Sequence, residues 1–244
     1  MIKNILFTMI FLCLQVISNA QLNFEIDTIA TSQGKLVISF IGHGTLMMNF
    51  NNLVIHIDPV YRYADYSKLP KADIILITHH HGDHLDLKAI DTLKKENTKI
   101  ICTELCYAQL KTGTIMKNGD IQKVYDINIE AVPAYNIVHK NNNGNPFHLK
   151  GQCNGYVITF GDKRIYIAGD TENIPEMKDL KNIDIAFLPM NLPYTMTPEM
   201  VADAVNMINP KVLYPYHYGN TNVKELIELL KDKKDCEIRI RKMN

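Results

Sequence analysis

Thr78-His79-His80-His81-Gly82-Asp83-His84-Leu85-Asp86 puts four side chains suited to a metal, His79, His81, Asp83 and His84, within six residues. The stretch follows an apolar run over 72–78 that reads as a strand. In extended backbone side chains alternate, so His79 and His81 project to one side and His80 to the other. Gly82 lets the chain turn, which brings Asp83 and His84 toward the same volume. Imidazole nitrogens and a carboxylate oxygen suit zinc. The rival reading is an exposed histidine tract that binds metal adventitiously. A position at the end of a core strand, and an acid among the histidines, weigh against it.

Upstream, apolar runs broken by Gly42, Gly44 and Asn51-Asn52 predict strands over 35–41, 45–50 and 53–58, the last two joined by a tight turn. In the third, Leu53, Ile55 and Ile57 share one face and Val54, His56 and Asp58 the other, before Pro59 ends the ladder. Downstream, Asp86 has the chemistry of an N-cap for a helix over 87–95. Strands over 99–102, 122–126 and 127–132 lead into a polar, Asn-rich loop over 136–154. A hairpin of 156–160 and 164–168 then turns at Gly161-Asp162. In the last third, strands over 183–188, 212–214 and 236–240 alternate with two helical patterns, Val201, Ala204, Val205, Ile208 and Val223, Leu226, Ile227, Leu230. No internal repeat is visible. Strand-rich stretches interleaved with helices predict an α/β fold of sheets layered under helices.

Two more candidates sit just past apolar strands, where a sheet scaffold presents chemistry: Asp170 in Ala168-Gly169-Asp170-Thr171, and His217 in Tyr214-Pro215-Tyr216-His217-Tyr218. Alone, Asp170 reads as a turn or cap residue and His217 as a satisfied polar residue. Beside the 79–84 cluster they read as the remainder of a metal centre.

Together, His79-x-His81-x-Asp83-His84, Gly169-Asp170-Thr171 and His217 resemble the metallo-β-lactamase superfamily, with a likeness that runs from about residue 35 to the C-terminus. Ile41-Gly42-His43-Gly44-Thr45, Ile57-Asp58-Pro59 and Val132-Pro133-Ala134 are similar to the branch that holds ascorbate-6-phosphate lactonase and N-acylphosphatidylethanolamine phospholipase D. The resemblance implies an αββα sandwich of two mixed sheets with helices on the outer faces. It also implies two zinc ions, with manganese or iron as alternatives. The family pattern assigns His79 and His81 to the first metal, Asp83, His84 and His217 to the second, and Asp170 to a bridge. A further histidine belongs just after Val132-Pro133-Ala134, where this chain reads Tyr135-Asn136. His148 is the favoured replacement; His139, the Asn136 amide oxygen and, more distantly, Cys153 are alternatives, as is a first site only partly filled. Asp58 and Asp86 are expected to orient ligand histidines. His43 is read as lining the site mouth or serving as a turn residue, and His56 as structural.

The implied activity is hydrolysis of an ester, lactone, amide or phosphodiester by metal-bound hydroxide, with Asp83 or Asp170 moving the proton. The 136–154 loop and Pro193-Tyr194-Thr195-Met196-Thr197 are read as substrate rim or as plain connectors. Three other readings stand beside it: a non-catalytic metal- or ligand-binding protein with an incomplete first site, a true β-lactamase, and a di-iron oxidoreductase. The last needs an electron-carrying domain, for which the chain has no room.

At 244 residues, 46% hydrophobic and 21% charged, the chain can bury one substantial core, read as a single domain over 21–244. Zero formal net charge and the lack of a Lys/Arg run give no support to a nucleic-acid partner, leaving a small molecule as the expected one. Lys3, the apolar run over 5–17 and Ser18-Asn19-Ala20 have the layout of a secretory signal peptide over 1–20, cleaved near Ala20. The expected destination is the periplasm or the medium. That run is shorter than the roughly 20 residues of a spanning helix, and no later run is longer. Cys102, Cys106, Cys153 and Cys236 are read as buried thiols, with a Cys102–Cys106 pairing open if the segment between them is irregular.

Overall fold

The alternation that predicts strands at the start of the chain builds an antiparallel meander of β1 (Glu25–Thr31), β2 (Gly34–Gly42), β3 (Thr45–Phe50) and β4 (Leu53–Ile57). Parallel strands β5 (Ile74–Leu76), β6 (Lys99–Cys102) and β7 (Thr114–Ile115) extend that sheet. Parallel pairing needs crossovers, and α1 (Leu87–Leu93) and α2 (Glu104–Leu110) supply two of them. The second half repeats the plan. β8 (Ile121–Val124), β9 (Ile127–Ala134), β10 (Cys153–Phe160) and β11 (Lys163–Ile167) form a meander. β12 (Ile185–Pro189), β13 (Val212–Tyr216) and β14 (Glu237–Ile238) then add in parallel, crossed by α3 (Pro198–Ile208) and α4 (Val223–Leu229). The computed structural model describes residues 24–243, and the two sheets within them have seven strands each, in the orders β1 to β7 and β14 to β8. The expected signal peptide over 1–20 lies outside the described residues. No helix of the described residues is long and apolar enough to cross a membrane.

Side-chain alternation sorts each strand between layers. Ile74 and Leu76 of β5 meet Ile158, Ile167 and Phe187 in the core between the sheets. Ile75, in contrast, packs with Ile77, Ala89, Ile90 and Leu93 under α1. Val201, Ala204, Val205 and Ile208 cover the outer face of the second sheet with Leu226 and Leu230. The fold is therefore the expected αββα sandwich. Ile227, expected on the buried face of α4, is 43% exposed. The short α4 seats only a narrow stripe, Val223, Leu226 and Leu230, and Ile227 falls on its flank.

Three elements are new. β1 carries a polar sequence and is exposed or half-buried throughout, as an edge strand is, so it lacks the apolar signal of its neighbours. α2 is capped by Thr103, whose hydroxyl accepts from Cys106 N, and it carries the chain to the two-residue β7, which pairs with Ile101-Cys102. The segment between Cys102 and Cys106 is thus a helix start, and the four cysteines of the described residues are buried and unpaired. Several expected bounds contract: the 72–78 strand to β5, the 87–95 helix to α1, and the 53–58 strand to β4, because Asp58 turns out of the ladder at φ 45°.

His56 on β4 is structural, as expected: it is fully buried and its Nε2 donates to Pro70 O at 3.1 Å. Burial pushes its imidazole down to about 4. Below pH about 6.5 the unfolded chain binds this proton and the folded chain does not, so stability falls as pH drops until the folded value is reached. His56→Gln keeps a donor for Pro70 but cannot titrate. Urea unfolding at pH 7 and pH 5 should show the wild type losing about 2 kcal/mol more than the variant over that interval. Equal losses would show that His56 does not contribute.

Candidate metal centre

The loops that leave β5, β11 and β13 meet at one edge of the sandwich and carry the 79–84 cluster, Asp170 and His217. Asp170 is the hub. Its Oδ2 lies 3.9 Å from His79 Nε2, 3.4 Å from His148 Nε2 and 3.3 Å from His217 Nε2, and its Oδ1 lies 3.3 Å from His84 Nε2. His148 Nε2 is 3.2 Å from His81 Nδ1. Asp83 Oδ2 is 3.3 Å from His43 Nε2 and 3.6 Å from His217 Nε2. Three overlapping donor sets result, with ligand atoms within 4.8 Å of one another: His79, His81, His148; His43, Asp83, His84, His217; and His79, His84, Asp170. Every residue singled out in the sequence for the centre is in one of them.

Backbone in the left-handed region holds several of these side chains in place. His43 (φ 54°), Asp58 (φ 45°) and His217 (φ 49°) all adopt it, a conformation uncommon for non-glycine residues though easier for Asp and His than for most. His217 N donates to His43 O at 3.0 Å, so the β2–β3 turn and the end of β13 brace each other. Gly44 has no side chain because His84 is there: a Cβ would stand 2.6 Å from His84 Cε1. Gly44→Ala must displace that ring. The variant should bind less metal than wild type by elemental analysis while keeping its far-UV circular dichroism, and wild-type metal content would show that the ring accommodates the methyl.

Three of the buried histidines, His79, His84 and His148, are held by the outer nitrogen, while His217 Nδ1 has no partner. His84 Nδ1 donates to Asp58 Oδ2 at 2.8 Å, and Asp58 also accepts from Thr78 N at 2.8 Å and Thr78 Oγ1 at 2.6 Å. His79 Nδ1 donates to Thr78 Oγ1 at 3.0 Å, and His148 Nδ1 to Asn136 Oδ1 at 2.6 Å. The inner atoms His79 Nε2, His84 Nε2, His217 Nε2 and Asp170 Oδ1 are buried with no hydrogen-bond partner. Buried polar atoms are seldom left so. Four together, each a nitrogen or oxygen that can offer a lone pair once deprotonated, are what a cation satisfies, so the donor set fits a metal.

Electrostatics agrees. Burial alone would raise Asp170, but His217, His84 and His79 hold it well below the usual carboxylate range. Burial likewise opposes charge on His84, yet Asp170 and Asp58 raise it well above an ordinary histidine, so without a cation the ring carries a proton that a metal must displace. Burial lowers His79 and His81, and pushes His148 down to about 4, keeping these rings neutral with lone pairs free, as metal ligands must be.

Asn136 does not face the cluster with its oxygen free: Oδ1 takes both the backbone N and the ring of His148. His139 lies on Glu172, with Nδ1 2.7 Å from Oε1, and Cys153 and His80 belong to none of the donor sets. Asp86 orients no histidine; it caps α1 through Lys88 N and Ala89 N and accepts from Tyr61 N. A cleft of roughly 350 Å³ opens over the cluster, lined by His43, Arg62, Asp83, Phe147, Asn191 and Tyr194 among others. Both expected rim segments thus contribute to it. Two residues in this region have no signal in the sequence pattern. Arg62 sits in the Tyr61-Arg62-Tyr63 connector, and Glu172 is completely buried two residues past Asp170.

A family model described as the β-lactamase superfamily domain matches residues 37–217, which include every residue of the three donor sets. The chain belongs to the β-lactamase superfamily. Membership together with relatives named metal-dependent hydrolases makes it a hydrolase. A UPF0173 metal-dependent hydrolase of Desulforamulus reducens is 30% identical over 192 residues, 75% of this chain and 84% of that protein. One of Nanoarchaeum equitans is 32% identical over 188 residues, 75% of this chain and 83% of that protein. The crystal structure of a metal-dependent hydrolase from Parabacteroides distasonis is 52% identical, with a TM-score of 0.87 over 91% of this chain and 100% of that one. A metallo hydrolase from the archaeon Ignicoccus hospitalis shares the superfamily fold, at a TM-score of 0.70 and 24% identity over 84% of this chain and 94% of that one.

Proposed function

We propose that this superfamily hydrolase is a two-zinc enzyme cleaving an ester, lactone, amide or phosphodiester. His79, His81 and His148 would hold one ion, Asp83, His84 and His217 the other, and Asp170 would serve both. The observation that carries the reading is the set of inward, buried and partnerless atoms on His79, His84, His217 and Asp170. When bound, the ions acidify water and polarise the oxygen of the bond under attack. The rest falls to the chain. Asp58 and Asn136 fix the tautomers of His84 and His148. Asp83, 38% exposed and open to the cleft, has Oδ2 3.3 Å from His43 Nε2, so the pair would relay the proton released by the attacking water toward the cleft. The non-catalytic reading needs a first site without a third histidine, and the nearness of His148 to His79 and His81, with ligand atoms within 4.8 Å of one another, supports the complete site instead.

The test combines metal analysis with a substrate panel of aryl esters, lactones, phosphodiesters and a cephalosporin reporter. Wild type should bind two zinc equivalents and turn over at least one class, with loss on chelation. His81→Ala should lose more than about a hundredfold in kcat/KM with its circular dichroism unchanged. Chelation-resistant turnover, or a His81→Ala enzyme as active as wild type, would sink the reading. The apolar run over 5–17 before Ser18-Asn19-Ala20 supports export of a single hydrolase domain over 21–244. N-terminal sequencing of the mature protein checks it, and a chain starting at Met1 would contradict it.

A further inference from the structure

We propose that the cleft selects a small anionic substrate with a flat apolar flank, Arg62 seating the anion and Phe147 with Tyr194 receiving the flank. The inference rests on the hydrolase reading and names the substrate class of the same site.

Three of the four arginines are committed to carboxylates: Arg164 to Glu130, Arg239 to Glu237 and Asp27, and Arg241 to Asp27. Arg62 makes no ion pair among the described residues, is exposed, and is the only Lys or Arg lining the cleft. Asp83 and Asp170, the two carboxylates of the lining, are engaged by histidines. The guanidinium is therefore the free fixed charge beside the donor sets, and its planar fork matches a carboxylate or a phosphate. Its segment is held in place by Tyr63, which stacks on His43 with ring centroids 5.3 Å apart.

Elsewhere in the lining, Phe147 meets Tyr194 edge to face at 5.0 Å, and Tyr194 remains 46% exposed. Neither ring fills the core, and such pairs offer apolar area with little rotamer freedom to lose. Asn136 ties this wall to the centre: its Nδ2 donates to Tyr194 O at 2.9 Å while its Oδ1 holds His148. A volume of roughly 350 Å³ is at the low end for ligand sites. It admits a ring-sized group and an anionic substituent.

The chain has no tryptophan, so the fluorescence anisotropy of naphthalene probes can be read directly. Three probes are titrated into zinc-loaded protein: 1-naphthoate, 1-naphthylphosphonate and the neutral 1-naphthalenemethanol. Wild type should bind at least one of the two anions tenfold or more tighter than the alcohol, and which one separates carboxylate from phosphate substrates. Arg62→Met should remove most of that preference without changing affinity for the alcohol, Arg62→Lys should restore part of it, and Phe147→Ala should weaken all three probes together. Anion affinity in Arg62→Met equal to wild type, or no anion preference in wild type, overturns the inference. Zinc content and turnover of the same samples report separately on the hydrolase reading. Protein that takes up no zinc is titrated as prepared, with the same comparison between wild type and Arg62→Met deciding.

Discussion

Asp170→Asn should abolish turnover, lowering kcat/KM by about a thousandfold or more, equivalent to roughly 4 kcal/mol of lost transition-state stabilisation. The residue it replaces is nearly inaccessible, at 3% side-chain exposure, and faces four imidazoles at 3.3 to 3.9 Å. An amide of the same shape keeps one oxygen but carries no charge, and it turns an NH2 group toward histidine nitrogens that present no acceptor to spare once they hold cations. His84, whose elevated proton affinity depends on Asp170 as well as Asp58, loses half of its support. Two ions held on either side of Asp170 would also lose the negative charge that screens them from each other. Elemental analysis should therefore fall from two zinc equivalents to one or fewer, together with the loss of rate. The sandwich core lies elsewhere, so circular dichroism should stay as in wild type. Turnover within tenfold of wild type, with both ions retained, would remove Asp170 from the centre of the mechanism.

That hub is legible in the sequence only because of topology. Asp170 and His217 are each an unremarkable polar residue after an apolar run. What unites them with His79 is that β11 and β13 open at the same sandwich edge as β5, a fact of register and layer rather than of spacing. The 79–84 cluster is different: period-two alternation and Gly82 are local, so its convergence can be read from nine letters. The third histidine lies between these cases. Nothing within the 136–154 loop distinguishes His148 from His139 until the backbone of 136–139 is seen wrapped on Glu172, which takes His139 and leaves His148 to the cluster. The repeated meander-plus-crossover plan of the two halves escapes sequence inspection for a related reason. What repeats is the order of pairing, and the residues that pair share only a tendency to be apolar. Asp86 was legible twice, as cap and as histidine partner; its capping bonds to Lys88 N and Ala89 N occupy Oδ1, and Tyr61 N takes Oδ2.

Glu172 carries the second large expectation. Its side chain is completely buried, with Oε2 accepting from Ile137 N at 2.6 Å and Val138 N at 2.7 Å, and Oε1 from His139 N at 2.7 Å and Asn136 Nδ2 at 3.1 Å. Burial pushes this carboxyl up, but the donors of Val138, His139, Asn136 and Ile137 together hold it below its ordinary value. Glu172→Gln replaces one accepting oxygen with an NH2 group that confronts backbone donors, and a donor left buried and unsatisfied costs about 1–3 kcal/mol. With two such donors affected, unfolding stability should fall by about 3–5 kcal/mol, and Tm by about 10 °C. A purely structural clamp would stop there. Asn136, however, is gripped by Glu172 at Nδ2 and grips His148 at Oδ1, so the loss should propagate to the His79–His81–His148 set. Competitive chelator titration should then show one zinc weakened by tenfold or more and the other bound as in wild type, because among the described residues Asp83, His84 and His217 make no hydrogen bond to this loop and reach it only through Asp170 and His79. Equal weakening of both ions would mean that the variant has merely loosened the fold, and wild-type stability with wild-type affinity at both sites would show that the buried carboxylate does not support the centre.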